Sequence, residues 1–159
     1  MKTAVIATVL ALAGVALPGT AHADCGDPEQ PACAGPVPTV DQVVAIMAEL
    51  TDPNIPAANK GNIVTPGFTP EEAGTIDDHL HKIEGPALPL PFIVTDIQAA
   101  PNNFAGATVS TGGNSYQRTY PAPIVLVNQG GHWLITHDTA MHELSAFWAN
   151  GSRTIVHVP

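Results

Sequence analysis

Gly130-Gly131, set between Ile124-Val125-Leu126-Val127 and His132-Trp133-Leu134-Ile135-Thr136, most narrows how this chain can fold. A glycine pair supplies the positive φ angles of a two-residue hairpin turn, so the flanking runs become antiparallel neighbours. The turn also sets the register: Asn128 faces Trp133, Val127 faces Leu134, and Leu126 faces Ile135. Leu126, Trp133 and Ile135 then share one face, and Val125, Val127 and Leu134 share the other. Both faces are apolar. This predicts a hairpin covered by helices on one side and by further protein or a partner on the other.

The segments around the hairpin give the rest of the architecture. Thr39 and Gln42 form a capping-box pair ahead of Val43, Ile46, Met47 and Leu50, which recur at helical spacing. This helix ends at Thr51-Asp52-Pro53-Asn54, and Ala57 to Val64 reads as a loop or short helix. Thr69-Pro70-Glu71-Glu72 starts a second helix, with a cap, a proline at the first position and a glutamate three residues after the cap. Its stripe is Ile76, Leu80 and Ile83, and Gly85-Pro86 stops it. Strands are expected over Leu90–Ile97, alternating around Phe92, Val94 and Asp96, and over Phe104–Thr111 and Tyr120–Asn128. A third helix is expected from a cap at Asp138, carrying Met141, Leu144, Ser145 and Trp148 and ending at Asn150-Gly151. Helices, then an antiparallel meander, then a helix make an α+β fold: helices packed on one curved antiparallel sheet, cone-like.

The chain opens with an address. Lys2 is followed by a run of 14 mostly apolar residues, Ala4 to Leu17, then by Pro18-Gly19 and the small-x-small pattern Ala21-His22-Ala23. That run has the length of a signal core and falls short of the roughly 20 residues of a membrane span. Residues 1–23 are therefore expected to be a signal peptide. Residues 24–38 form a Cys- and Pro-rich arm, 39–150 one α+β domain, and 151–159 a C-terminal tail. Cys25 and Cys33 bracket a proline-rich turn in an exported chain, which is most simply read as one disulfide. Cys25 lies close to the expected new N-terminus. Asp24 stands where lipidation wants a small residue, so the protein reads as released, secreted or extracellular, with cell-envelope association left open.

With 14 acids and 5 bases the chain has a formal charge of −9, which argues against binding to nucleic acid or an anionic lipid surface. The 45% apolar share argues equally against an extended disordered acid chain.

Four runs in series carry a family resemblance. They are Leu50-Thr51-Asp52-Pro53-Asn54-Ile55, Ala58-Asn59-Lys60-Gly61-Asn62-Ile63-Val64, Leu88-Pro89-Leu90-Pro91-Phe92 with Val94-Thr95-Asp96-Ile97, and Val127-Asn128-Gln129-Gly130-Gly131 before a tryptophan and the final helix. In their order and gaps, from about Val40 to Trp148, the chain resembles the secreted low molecular weight antigens of mycobacteria. The resemblance implies export, recognition as an immune antigen and no assigned enzymatic activity. It also implies a cone-shaped domain similar to nuclear-transport-factor-like and cystatin-like folds. The two cysteines, the histidine-rich helices and the tail after Gly151 depart from the family pattern.

Candidate chemistry is sparse. His79-Leu80-His81 would make a metal pair on a strand, but on a helix the two rings point about 200° apart. Asp138 and His142 share a helical face and could form a dyad, with His137 or His132 as a third group; an N-terminal aspartate and a surface histidine is the plainer reading. Lys60 could hold an anionic group or close against an acid, although Asn59, Gly61 and Asn62 read more simply as a turn. No serine sits in a nucleophile-elbow pattern and no glycine loop has phosphate-binding spacing.

The expected protein is thus a non-enzymatic extracellular or envelope-associated binding protein, with no catalytic residues, metal or cofactor. An envelope or host-protein partner and a homodimer through the sheet are both compatible with it. The alternative is a binder of a small, apolar molecule in a cavity of the cone, lined by Phe92, Leu126, Trp133, Trp148 and Met47. A weaker alternative is a small acid–base enzyme in that cavity, using Asp138, His142 or His79.

Overall fold

A computed structural model describes residues 32–82, 90–112 and 121–151. The elements run α1 (Val40–Thr51), a 3₁₀ segment (Ala57–Asn62), β1 (Val64–Thr65), α2 (Pro70–Lys82), β2 (Phe92–Ala100), β3 (Phe104–Thr111), β4 (Ala122–Gln129), β5 (His132–Thr136) and α3 (His137–Gly151). The fold is α+β, with one curved, unclosed sheet of order β1-β5-β4-β3-β2. Ile83, Gly85 and Pro86, expected at the end of the second helix, lie outside the described residues.

Both capping boxes form. The Thr39 hydroxyl accepts from the Gln42 amide at 3.2 Å, and the Gln42 side chain accepts from the Thr39 amide at 2.9 Å. The Glu72 carboxylate takes the Thr69 amide at 2.8 Å, while the Glu72 amide donates to the Thr69 hydroxyl at 3.3 Å. Each box satisfies donors that a helix start would otherwise leave without partners. The stripes behind them, Val43, Ile46, Met47 and Leu50 on α1 and Ile76 and Leu80 on α2, are buried.

The glycine hairpin has the expected register, with Leu126 opposite Ile135, Val127 opposite Leu134 and Asn128 opposite Trp133. Gly130 and Gly131 take φ of 61° and 87°, the left-handed values that such a turn needs. A second hairpin joins β2 to β3 through Asn102 and Asn103, at φ of 60° and 63°. Asparagine is among the few residues with side chains that tolerate this region. One inner row crosses all five strands: Ala99, Ala105, Leu126, Ile135 and Val64. α1, α2 and α3 pack over it as a single apolar core.

Two features differ from the expectation, and a third leaves it open. The first is Asp96. Strict alternation from Phe92 and Val94 would aim its carboxylate into the core, at a cost of several kcal/mol for an unpaired charge. Instead the register slips by one residue between Thr95 and Gln98, with Asp96 at φ 53°. This β-bulge leaves Asp96 exposed and turns Ile97 onto the core in its place.

The second is the sheet itself, which is mixed. Val64-Thr65 adds as a two-residue strand parallel to β5, and the Ile135 amide donates to the Ile63 carbonyl at 2.8 Å. The third is the cover. The outer face carries a partly exposed row, Ala100, Phe104 and Val127, ending at buried Leu134. Ile93 and Val125 on that face remain 52% and 42% exposed. The second face is therefore not closed over within one chain at those positions. The helices all serve the other face, because their apolar stripes share its core.

Candidate functional site: two joints at the helix ends

β1 and β5 are parallel neighbours, so their last residues, Thr65 and Thr136, lie side by side. β5 passes directly into α3, and a short linker carries β1 into α2. The starts of the two helices consequently meet. His137, the first residue of α3, places Nε2 3.2 Å from the Glu72 carboxylate of α2 and Nδ1 3.4 Å from Asp138. The Phe68 ring, from the linker, stands tilted against the imidazole at 5.8 Å between centroids.

The electrostatics of this joint follow from its geometry. The amide and hydroxyl of Thr69, with help from His137, hold the Glu72 carboxyl down to about 2. Glu72, and secondarily Asp138, raise the His137 imidazole above its ordinary value against a smaller opposing effect of burial. Both ring nitrogens of His137 face carboxylates. Together these contacts join the starts of two helices.

The second joint lies at the far end of α1, whose last turn contains no basic residue. Lys60, fully buried on the 3₁₀ segment, donates from Nζ to the carbonyls of Glu49, Leu50 and Asp52 at 2.8, 2.7 and 2.9 Å. An ammonium has three donors, and all three are used on helix-end carbonyls. Asn62 adds a 2.6 Å bond from Nδ2 to Glu49, and Asp77 of α2 accepts the Ala57 amide at 2.8 Å. Burial pushes the Lys60 ammonium down to about 8, while Asp52, Asp77 and Glu49 hold it up. The reading of Lys60 as an anion holder is thereby corrected, because no donor is left over for a ligand. The turn expected around Asn59 and Asn62 is present as a 3₁₀ segment, and it places the lysine at the α1 terminus.

The other predicted side chains are dispersed. His79 stacks on Trp148 at 4.5 Å between centroids, whereas His81 Nδ1 lies 2.7 Å from the Asp77 carbonyl one turn back. The two rings thus diverge, as a helix requires. Among the described residues no three His, Cys, Asp or Glu side chains converge as metal ligands. Asp138 falls inside the first turn of α3 rather than capping it, and it turns to His137, not to the exposed His142. His132 is exposed at the glycine hairpin.

Met47, Leu126 and Trp133 are buried in the core, with Phe92 and Trp148 packed against it. Trp148 Nε1 and Glu143 Oε1 are buried without a hydrogen-bond partner, and desolvation raises the Glu143 carboxyl. Cys33 is not a free thiol, and Cys25 lies outside the described residues.

Two contributions were missed by sequence reasoning. Glu72 was legible as a cap but not as a partner of His137. Lys60 had one usable signal, a helix without a basic last turn followed closely by a lone lysine among turn residues.

Comparison with known proteins places this architecture. The family model for the low molecular weight antigen MTB12, C-terminal domain, matches residues 36–150. Low molecular weight antigen MTB12 of Mycobacterium tuberculosis (strain CDC 1551 / Oshkosh) is 40% identical over 120 residues, covering 75% of this chain and 71% of that protein. The Mycobacterium leprae MTB12 homolog is 30% identical over the same shares. A putative lipoprotein LppK of Mycobacterium tuberculosis is 28% identical over 109 residues, 66% of this chain and 57% of that one. Both joints and the whole described sheet fall within the matched residues, and the chain belongs to the low molecular weight antigen MTB12 family through that C-terminal domain.

Proposed function

We propose that this chain is an exported, non-enzymatic member of its antigen family that acts by binding through its surface, in the extracellular space or at the cell envelope. The observation that carries the reading is the state of the polar groups. The clustered histidine has both nitrogens against carboxylates, and the buried lysine has spent its three donors. Export is supported by the leader pattern over residues 1–23 and by relatives described as antigens and as a putative lipoprotein. No helix among the described residues is long and apolar enough to cross a membrane.

The reading includes a Cys25–Cys33 disulfide in the arm and the division at residues 38 and 150; the absence of a free thiol at Cys33 supports the bridge. It also includes self-association through the outer sheet face, where Ile93 and Val125 are exposed and Thr108, Ser110 and Phe104 add no charge. Intact-mass measurement of protein from culture medium and from washed envelopes tests export and the bridge together. The expected species begins at Asp24 and gains the mass of two hydrogens on reduction. A full-length chain confined to the cell would defeat the proposal. Sedimentation velocity over a concentration series tests the dimer, which a monomer at every concentration would remove.

A second reading, an apolar ligand beside Phe92, Leu126, Trp133, Trp148 and Met47, has one observation in its favour. The Trp148 indole N–H is buried without an acceptor, which a ligand oxygen could provide. Titration of tryptophan fluorescence with a fatty acid tests it, a saturable shift being expected and a flat response excluding it.

A further inference from the structure

We propose that the joint of Glu72, His137 and Asp138 is a pH-sensitive clasp that tightens the start of α3 against the start of α2 on mild acidification. The geometry is a histidine held between two carboxylates, 3.2 Å from one on the neighbouring helix and 3.4 Å from one on its own. The charged groups facing the imidazole are Glu72 from α2 and Asp138 from α3. The linker contributes only the Phe68 ring, and no charge enters from Thr136 or Thr139, whose hydroxyls bond to each other at 2.7 Å.

Protonation strengthens each of these contacts. The neutral ring has one N–H and donates to only one of the two carboxylates, leaving a lone pair against the other; protonation supplies the second donor and gives both contacts a full opposite charge. One effect opposes it: a cation at the first residue of a helix meets the positive end of the macrodipole. The direction of the response therefore depends on the Glu72 charge. The joint is open to water, with 21% of the His137 side chain, 29% of that of Glu72 and the whole of that of Asp138 exposed, so protons reach it without unfolding.

Native-state hydrogen exchange of the whole chain tests the clasp, with intrinsic exchange rates corrected and the amides of β4 as internal reference. Between about pH 7.5 and about pH 5.5, the window in which histidine titrates, amides of the first two turns of α3 should slow several-fold relative to β4. In Glu72→Gln that slowing should vanish or reverse, because glutamine keeps the capping box but not the charge. Slowing that persists in E72Q, or that is absent from the native chain, overturns the clasp. A ring-nitrogen NMR titration of His137 in the native chain gives an independent reading. A midpoint above that of free histidine is expected, and one at or below it overturns the proposal.

Discussion

Lys60 and His137 perform the same task in opposite surroundings. Each is a basic side chain that ties a helix end to a neighbouring segment. Lys60 works at a helix C-terminus, out of water, against three neutral carbonyls. His137 works at a helix N-terminus, partly in water, against two carboxylates. The lysine gains from the negative end of its helix, whereas the histidine needs its acidic partners because the dipole opposes it. The difference teaches that burial decides what a joint responds to. A sealed joint is little touched by salt and answers to protons only at alkaline pH. An open one responds to salt and to protons near neutrality.

Removing the sealed joint should have the largest effect. Lys60→Met leaves three carbonyls at the α1 terminus without their donor, and an expected loss of about 3 kcal/mol would follow in urea unfolding. A loss below about 1 kcal/mol would show that water replaces the ammonium freely and would erase the contrast with His137.

The pH profile of stability comes next, because the two joints contribute with opposite sign. His137 has a raised folded value, so its contribution is complete below its ordinary 6.5 and is lost as pH rises through the folded value. Glu72, held at about 2, contributes fully above its ordinary 4.5 and loses that contribution as pH falls toward 2. Lys60 behaves in reverse. The cost of keeping it charged is complete below about 8 and is relieved as pH climbs toward 10.5, where the unfolded chain gives up the same proton. Urea unfolding across pH should lose only the upper limb in Lys60→Met, and both the acid limb and the histidine-dependent limb in Glu72→Gln. Coincident profiles would collapse the comparison.

Smaller effects sharpen it. His137→Ala should cost less than about 1 kcal/mol, in the range of exposed ion pairs, and the loss should shrink further at about 1 M salt, where screening reaches about 3 Å. The Lys60→Met loss should stay constant under the same salt. Asn62→Ala, which removes a single exposed bond to Glu49, should cost only a few tenths of a kcal/mol by the same denaturation measurement.

Local chemistry was readable in the sequence, and long-range chemistry was not. The capping boxes at Thr39 and Thr69 and the register set by Gly130-Gly131 depend on residues within a few positions of one another, and each stands as expected. The α+β class followed from them. Val64-Thr65 carries no strand signal of its own, since two residues have no periodicity, and its pairing with Ile135 and Thr136 is wholly tertiary. The Glu72–His137 joint depends on that pairing, so it was equally hidden. Lys60 reads as an anion holder or part of a turn because lysines are almost never fully buried, and its carbonyl partners lie eight to eleven positions away. The apolar character of the outer sheet face was legible at residues such as Val125, but what covers it was not, because a local pattern does not name the covering segment.

The bulge at Asp96 has one more consequence. β2 is the last strand of the sheet, so among the described residues its outer edge has no neighbouring strand. Such an edge is a template on which further chains can grow edge to edge. A left-handed residue bearing a full charge near its middle bends that template and puts a negative group on each copy that approaches. The slip that keeps a carboxylate out of the core thereby also makes this rim a poorer template for edge-to-edge growth.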